Sequence, residues 1–227
     1  MKYSSQKKKD KHLKGVNLLI NAGPTREKID PVRFISNYSS GKMGIAIASV
    51  AAEYGANVEL VLGPVDIIPE NRNIKVINVT SAESMASECI NRFPKCDIAI
   101  LSAAVADFTP EKVAGGKIKR GNNELILRLK PTKDIAAELG KSKKKGQLLI
   151  GFALETENEL QNAISKLKRK NMDLIILNSL NEEGAGFGFD TNRITIIDKN
   201  NNIDKFELKS KEEAARDIID KIVSIIA

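Results

Sequence analysis

The sequence predicts an α/β protein of the Rossmann-like, doubly wound type, with a mostly parallel sheet and one inserted β-hairpin arm. Three observations predict it. Apolar runs of strand length alternate with stretches of helical period. The run Asp97–Ala104 is nearly all apolar, as a strand covered on both faces must be. Glycines crowd the joint between the first strand and the first helix.

Val16–Ala22 is the first buried strand, and Lys42–Tyr54 a helix rich in small residues, suited to close packing on a sheet. Gly55-Ala56-Asn57 ends that helix and Val58–Leu62 returns as a strand. Ile74–Val79 is the third strand and Ser81–Phe93 a helix, with Ser81 as N-cap and Ser84 in its first turn. Asp97–Ala104 follows. The rhythm then changes: Lys117–Arg120 and Glu124–Leu129 flank Gly121-Asn122-Asn123, which reads as a hairpin or extended arm at about 108–130. It resumes with a strand at Leu148–Phe152, a helix over Glu157–Lys170 and a strand at Asp173–Leu177. Arg193–Asp198 and Asp204–Leu208 form a second hairpin, and a helix from Lys211 to Ile226 closes the chain. Right-handed crossovers place the carboxyl ends of the parallel strands along one edge, where such folds bind ligands.

Composition narrows the function. The 227 residues carry a net charge of +7, but residues 1–14 hold six lysines and one acid, leaving +2 on residues 15–227. The basic balance belongs to a polar tail or linker, with 15–227 as a single domain, and no basic stripe marks a nucleic-acid-binding face. No run approaches a membrane span, and the N-terminus lacks the apolar stretch of a secretory signal, so a cytoplasmic location is expected. Cys89 and Cys96 have no metal or redox spacing and read as buried thiols. His12, in the tail, is the single histidine, which excludes histidine-based triads and His-rich metal sites within this chain.

Several segments carry local chemistry. Gly23-Pro24-Thr25 after the first strand and Ser39-Ser40-Gly41-Lys42-Met43-Gly44 at the first helix are places where backbone N–H groups and a helix dipole can hold a phosphate. A tight strand–loop–helix joint would use the same glycines. The insertion Arg26–Tyr38 breaks any contiguous GxGxxG, Gly63-Pro64 stands where a dinucleotide site wants an acid, and the Walker pattern fails at Met43. Tyr38 and Lys42 share the YxxxK spacing of short-chain dehydrogenases, but they precede the first helix instead of lying within a later one. Ala103-Ala104-Val105-Ala106-Asp107 ends a buried strand with small residues and an acid, which could hold Mg²⁺ or a ribose, or simply cap a turn. Lys166 and Lys170, at i and i+4, share a helix face that could grip a polyphosphate or remain solvated. Lys141–Lys145 reads as a surface loop, and Gly184–Gly188 as a mobile loop or close backbone contact.

Together these segments are more specific than any one of them. Ala22–Glu27, Asp30–Asn37, Ser39–Gly44, Ala103–Asp107, Lys117–Lys119, Gly151–Thr156 and Lys170–Asp173, in this order, resemble bacterial phosphopantothenoylcysteine synthetase. That family is the ligase domain following a flavin-dependent decarboxylase in the bifunctional coenzyme A biosynthesis protein. The resemblance runs from residue 16 to the C-terminus and implies a ligase forming a C–N bond. The carboxylate of 4′-phosphopantothenate is activated by CTP as an acyl-cytidylate with loss of pyrophosphate, and the amine of L-cysteine then displaces CMP.

By matched position, Asn37 is expected to hold the acyl-cytidylate and Lys117 to act during activation. Leu101, Ser102, Ala103, Asp107, Lys117, Lys133, Asp134, Ile135, Ala136, Phe152, Lys166 and Lys170 are expected at the nucleotide, with Asp107 placing Mg²⁺. Gly23, Pro24, Thr25, Arg33, Asn37, Ser39, Ser40, Gly41, Ala103 and Ala104 are expected to frame phosphopantothenate. Asn21 replaces a common threonine, Gly116 a common glutamate, and Lys133 the usual proline before Asp134. The resemblance further implies a homodimer whose arm, Lys117–Leu129, completes the neighbouring site. No flavin is expected in this chain, whose flavin-dependent partner is associated or fused with it, the Lys-rich start being the linker. A nicotinamide-dependent oxidoreductase and a basic nucleic-acid module are the rival readings, disfavoured by the missing glycine fingerprint and by the charge distribution.

Overall fold

The computed structural model describes residues 12–69, 71–122, 124–155, 157–179 and 189–226. Residues 1–11 of the basic tail and the Gly184–Gly188 run lie outside them. In chain order the elements are β1 (Asn17–Ala22), β2 (Arg26–Lys28), β3 (Phe34–Ser36), α1 (Lys42–Glu53), β4 (Asn57–Leu62), β5 (Ile74–Asn78) and α2 (Ala82–Arg92). Then come β6 (Ile98–Leu101), β7 (Phe108–Pro110), β8 (Leu129–Pro131), α3 (Ile135–Ser142), β9 (Leu148–Glu155), α4 (Glu159–Arg169) and β10 (Leu174–Ser179). The chain ends with β11 (Thr191–Asn192), β12 (Ile194–Asp198), β13 (Ile203–Lys205), β14 (Lys209–Ser210) and α5 (Lys211–Ile226).

Eight strands form the central sheet in the order β13-β12-β10-β9-β6-β1-β4-β5. From β5 to β10 all neighbours are parallel, and β12 and β13 add an antiparallel edge. The two-residue period of β1 divides its side chains between two cores: Leu18, Ile20 and Ala22 face α1 and α5, while Leu19 faces α2, α3 and α4. Both faces are therefore covered, which explains the continuous apolar runs. The buried Gly44, Ala48, Ala51 and Ala52 bring α1 close to the sheet. Leu13 is fully buried and its N–H bonds the Tyr54 carbonyl at 2.9 Å, so the folded body includes it. The predicted Ser81 cap forms a reciprocal capping box with Ser84.

Three expectations need correction. The hairpin around Gly121 is absent: no strand occurs among the described residues between 111 and 128, and the arm is closed at its base by β7 pairing with β8. Its backbone bonds elsewhere, Ala114 N–H to the Ile29 carbonyl (3.0 Å) and Ile118 N–H to Asp30 (3.1 Å), so the two limbs do not form a ladder. Asp97–Ala104 is strand only from Ile98 to Leu101, because beyond it the backbone turns into the cleft described below. Lys141–Lys145 is not all loop: Lys141 and Ser142 end α3, a short helix capped by Asp134 that the sequence pattern did not reveal.

Nor is Lys143 a surface lysine. Its ammonium bonds the Asp173 carboxylate at 2.8 Å, with side-chain exposures of 11% and 10%, and Asp173 also accepts from the Leu149 N–H. Removing Lys143 leaves the buried Asp173 carboxylate, among the described residues, only the longer ion pair with the exposed Lys199 ammonium, at 3.7 Å. Lys143→Met is expected to destabilise the fold by about 3 kcal/mol in urea unfolding; a loss below about 0.5 kcal/mol, the range of ordinary surface changes, would return Lys143 to the surface.

Candidate active site

In the sheet, chain order runs outward from β1 through β4 and β5 on one side and from β6 through β9 and β10 on the other. Their carboxyl ends diverge between β1 and β6, the crevice where open α/β sheets bind ligands. A cleft of about 800 Å³ lies there.

One wall is the segment Ser102–Asp107. Most of its backbone groups are held by residues distant in sequence. The Asn21 Oδ1 accepts from Ala103 N–H (3.0 Å), the Gly23 carbonyl from Ala104 N–H (3.0 Å) and the Thr25 hydroxyl from Ala106 N–H (3.0 Å). The Asn37 amide donates to the Ala104 and Val105 carbonyls (3.3 and 3.0 Å), and the Thr132 hydroxyl to that of Ala106 (2.7 Å). The wall is thus a rigid platform of small side chains. Asp107 stands exposed at its end, and among the described residues its carboxylate forms no ion pair.

Opposite are the starts of α1 and α3 and the end of α4. Gly41 precedes α1 with φ 72°, a left-handed conformation natural to glycine, and no side chain caps the helix. Lys166 lies in the last turn of α4 and Lys170 is its C-cap residue. The Lys166 ammonium donates to the Phe152 carbonyl (2.9 Å), and Lys170 is paired with Asp134 (2.8 Å). Asp134 does double duty, accepting also from Ala137 N–H at the start of α3 (3.0 Å). Burial pushes its carboxyl pKa up, but the bonds from Lys170 and Ala137 outweigh that and leave it below the usual range.

Of the residues singled out in the sequence, the structure brings Asn37, Ser39, Ser40, Gly41, Leu101–Ala104, Asp107, Lys133–Ala136, Phe152, Lys166 and Lys170 into one cleft. It does not bring Gly23, Pro24, Thr25, Arg33 or Lys117 to the wall of the chain's own cleft. The first three sit behind the platform. Arg33 is bound by Asp30, a buried carboxylate that also accepts from Val32 and Arg33 N–H (both 2.8 Å), and donates to the Ile118 carbonyl (2.9 Å). Arg33, with these N–H donors, holds Asp30 well below the usual carboxylate range despite its burial. The ribbon β2–β3 therefore anchors the arm beside Lys117, which is itself exposed.

The sequence reading missed Lys211, Asn178 and Asn192, which also line the cleft, and named Lys42 in the phosphate-holding segment at the first helix without counting its side chain among the site residues. Tyr38 is 90% exposed and Lys42 is paired with Asp190 at 2.6 Å, an arrangement unlike a dehydrogenase dyad. Of the missed residues, only Lys211 carried a signal, its position at a helix start.

No group of three or more His, Cys, Asp or Glu among the described residues could hold a metal by itself. A lone exposed carboxylate beside lysines does fit Mg²⁺ carried by phosphates, since that ion is usually bound through one or two carboxylates plus substrate oxygens.

Fold and cleft together define an α/β protein with a cleft at the switch point of its parallel sheet, large enough for a small-molecule ligand. The chain belongs to the family described as DNA/pantothenate metabolism flavoprotein C-terminal domain, which it matches over residues 13–226. It is 62% identical over 224 residues to a cysteine/cysteine sulfinic acid decarboxylase of an unknown prokaryotic organism, covering 99% of this chain and 62% of that protein. It is 44% identical over 213 residues to the coenzyme A biosynthesis bifunctional protein CoaBC of Bacillus subtilis (strain 168), covering 94% and 52%. A crystal structure of the C-terminal domain of a CoaBC protein is similar with a TM-score of 0.82 at 40% identity, over 95% of this chain and 98% of that one. The chain spans little more than half the length of the curated relatives it matches. No helix among the described residues is long and apolar enough to cross a membrane.

Proposed function

We propose that this chain is the ligase of coenzyme A biosynthesis that joins 4′-phosphopantothenate to L-cysteine with CTP and Mg²⁺, in the cytoplasm. The observation that carries the reading is the cleft itself. It sets Asn37 and the small-residue platform against Lys166 and Lys170 in a member of this family.

In the first step a carboxylate oxygen of phosphopantothenate bonds to the α-phosphorus of CTP while the bond to pyrophosphate breaks. In the second the cysteine amine bonds to the activated acyl carbon, CMP leaves with the bonding electron pair, and the amine proton passes to solvent. Lys166 and Lys170 neutralise the triphosphate, and Mg²⁺ held at Asp107 would supply further charge stabilisation there. Lys170 reaches phosphate by exchanging Asp134 for it. The platform admits the flat acyl portion, and Ser39–Gly41 frame it. Fixed donors suffice for this chemistry, which needs no histidine.

Lys117 acts at the site of a second copy in a homodimer. The exposed apolar side chains of the arm and its surroundings, Phe108, Val113, Leu125, Ile126 and Leu129, support such packing. Lys117→Gln is expected to slow pyrophosphate release by about 10²-fold, as loss of one charged donor in a water-excluded site does. Mixing it with an Asn37→Asp variant should restore activity through hybrid dimers. Two inactive variants that stay inactive after exchange of subunits would place Lys117 at its own chain's site.

The test of the function is pyrophosphate release with Mg²⁺, 4′-phosphopantothenate and CTP or ATP, with and without cysteine. Release that requires phosphopantothenate and favours CTP is expected. Preference for ATP would overturn the nucleotide assignment. Carbon dioxide from cysteine without nucleotide would instead support an activity like that named for the 62% identical relative.

A further inference from the structure

One end of the cleft holds charge that the roles above do not use. Lys42 opens α1 and Lys211 opens α5, and the two helices pack side by side on one face of the sheet. Lys211 is 8% exposed, yet it is among the residues that line the cleft, and its ammonium donates to the Phe189 carbonyl at 2.6 Å. Burial, and then the nearby Lys42 charge, lowers its pKa, so the two cations share one environment. The acid facing them is Asp190, whose side chain is 85% exposed and which bonds Lys42 at 2.6 Å.

Two further features mark this end as built for a ligand. The first turn of α1 has neither a capping side chain nor an acid, and Lys42, Met43 and Gly44 all line the cleft. The N–H groups of that turn thus add to the positive field. By contrast, α5 is capped by its own Ser210–Glu213 pair, so it contributes the lysine and not an open helix end. Asn192 is the second feature. It is 2% exposed and lines the cleft, and its Nδ2 is spent on Asn178 Oδ1 (3.3 Å) and Met43 Sδ (3.7 Å). Its Oδ1 has no partner. A buried acceptor left so costs free energy unless a ligand or its water supplies a donor.

We propose that Lys42, Lys211 and the open start of α1 form a polyphosphate subsite, and that Asp190 is its built-in counter-ion, displaced when the ligand binds. This rests on the reading that a nucleotide occupies the cleft, and it assigns the departing pyrophosphate to this end. Asp190 then serves Lys42 as Asp134 serves Lys170: each carboxylate holds a lysine in place in the empty cleft and yields it to phosphate. Asp190 is a single, largely exposed carboxylate, so a phosphate, which is more highly charged, outcompetes it for Lys42.

Calorimetric titration with inorganic pyrophosphate and Mg²⁺, and separately with CMP, tests this on the full chain. Lys211→Met is expected to weaken pyrophosphate at least about thirtyfold, the loss typical of truncating a desolvated charge partner, and to leave CMP unchanged. Lys211→Arg should recover most of the loss. Asp190→Asn should tighten pyrophosphate several-fold, because the competitor is gone. Unchanged pyrophosphate affinity in Lys211→Met, or weaker binding in Asp190→Asn, would overturn the subsite. Should Lys211→Met fail to fold by circular dichroism, the exposed Asp190→Asn variant decides alone. Wild-type protein that binds pyrophosphate but not CMP would sink the nucleotide reading and leave the subsite standing.

Discussion

Replacing Asn37 by aspartate is expected to lower turnover by about 10²–10³-fold, the loss that follows removal of a preorganised donor at a reacting centre. The reason lies in where its amide points. Both Nδ2 hydrogens are taken by the Ala104 and Val105 carbonyls, so Asn37 ties the loop before α1 to the platform that ends β6. A carboxylate cannot donate, and would set its charge against two carbonyl oxygens at hydrogen-bond distance. It would also repel the phosphate of an acyl-cytidylate. In the proposed reaction the amide exchanges one carbonyl for the intermediate, so the second half-reaction is expected to suffer more than the first. Separate assays of pyrophosphate release and of CMP release with cysteine measure the two. Equal turnover of wild type and variant would remove Asn37 from the site chemistry.

The second large effect is on the fold. Gly63 follows β4, and a Cβ built there lies 1.8 Å from the Pro24 carbonyl oxygen. That atom is backbone and has nowhere to go: Pro24 bridges Ala104, and the next residue, Thr25, is fully buried and holds Ala106. Gly63→Ala is therefore expected to cost about 3 kcal/mol or more in urea unfolding, at the upper end of overpacking effects. It should also loosen the platform, raising hydrogen exchange at Ala104 and Ala106. Gly116→Ala is the control. Nothing lies within 4 Å of its Cβ, and a change within about 0.5 kcal/mol is expected. Similar stability losses in the two variants would show that the close approach at Gly63 is not what makes it necessary.

Much of the frame was legible because it is written in local periods. The apolar run of β1, the small-residue period of α1 and the Ser81 cap of α2 each report the conformation of the residues that carry them. What failed was also local in cause. Helix α3 spans eight residues, Ile135–Ser142, too few to display a period, and its Lys141 was read with the loop beyond it. The arm carried a turn signal at Gly121-Asn122-Asn123, but its hydrogen bonds went to Ile29, Asp30 and Arg33, more than eighty residues back. Turn chemistry cannot foresee a better partner elsewhere.

The candidate site divides in the same way. By itself the sequence determined the α/β class, the order of most elements, and the family to which the ordered segments from Ala22 to Asp173 point. Tertiary structure alone decided which of those residues share a cleft. It put Thr25 behind the platform and not at its face, set Lys117 on an exposed arm, paired Lys143 with the buried Asp173, and brought Lys42 to Asp190 and Asn192 to Met43 across nearly 150 residues. These pairings depend on how the sheet closes between β1 and β6 and on how α1 meets α5. Such contacts join residues far apart in the chain, so no window of neighbouring residues contains them.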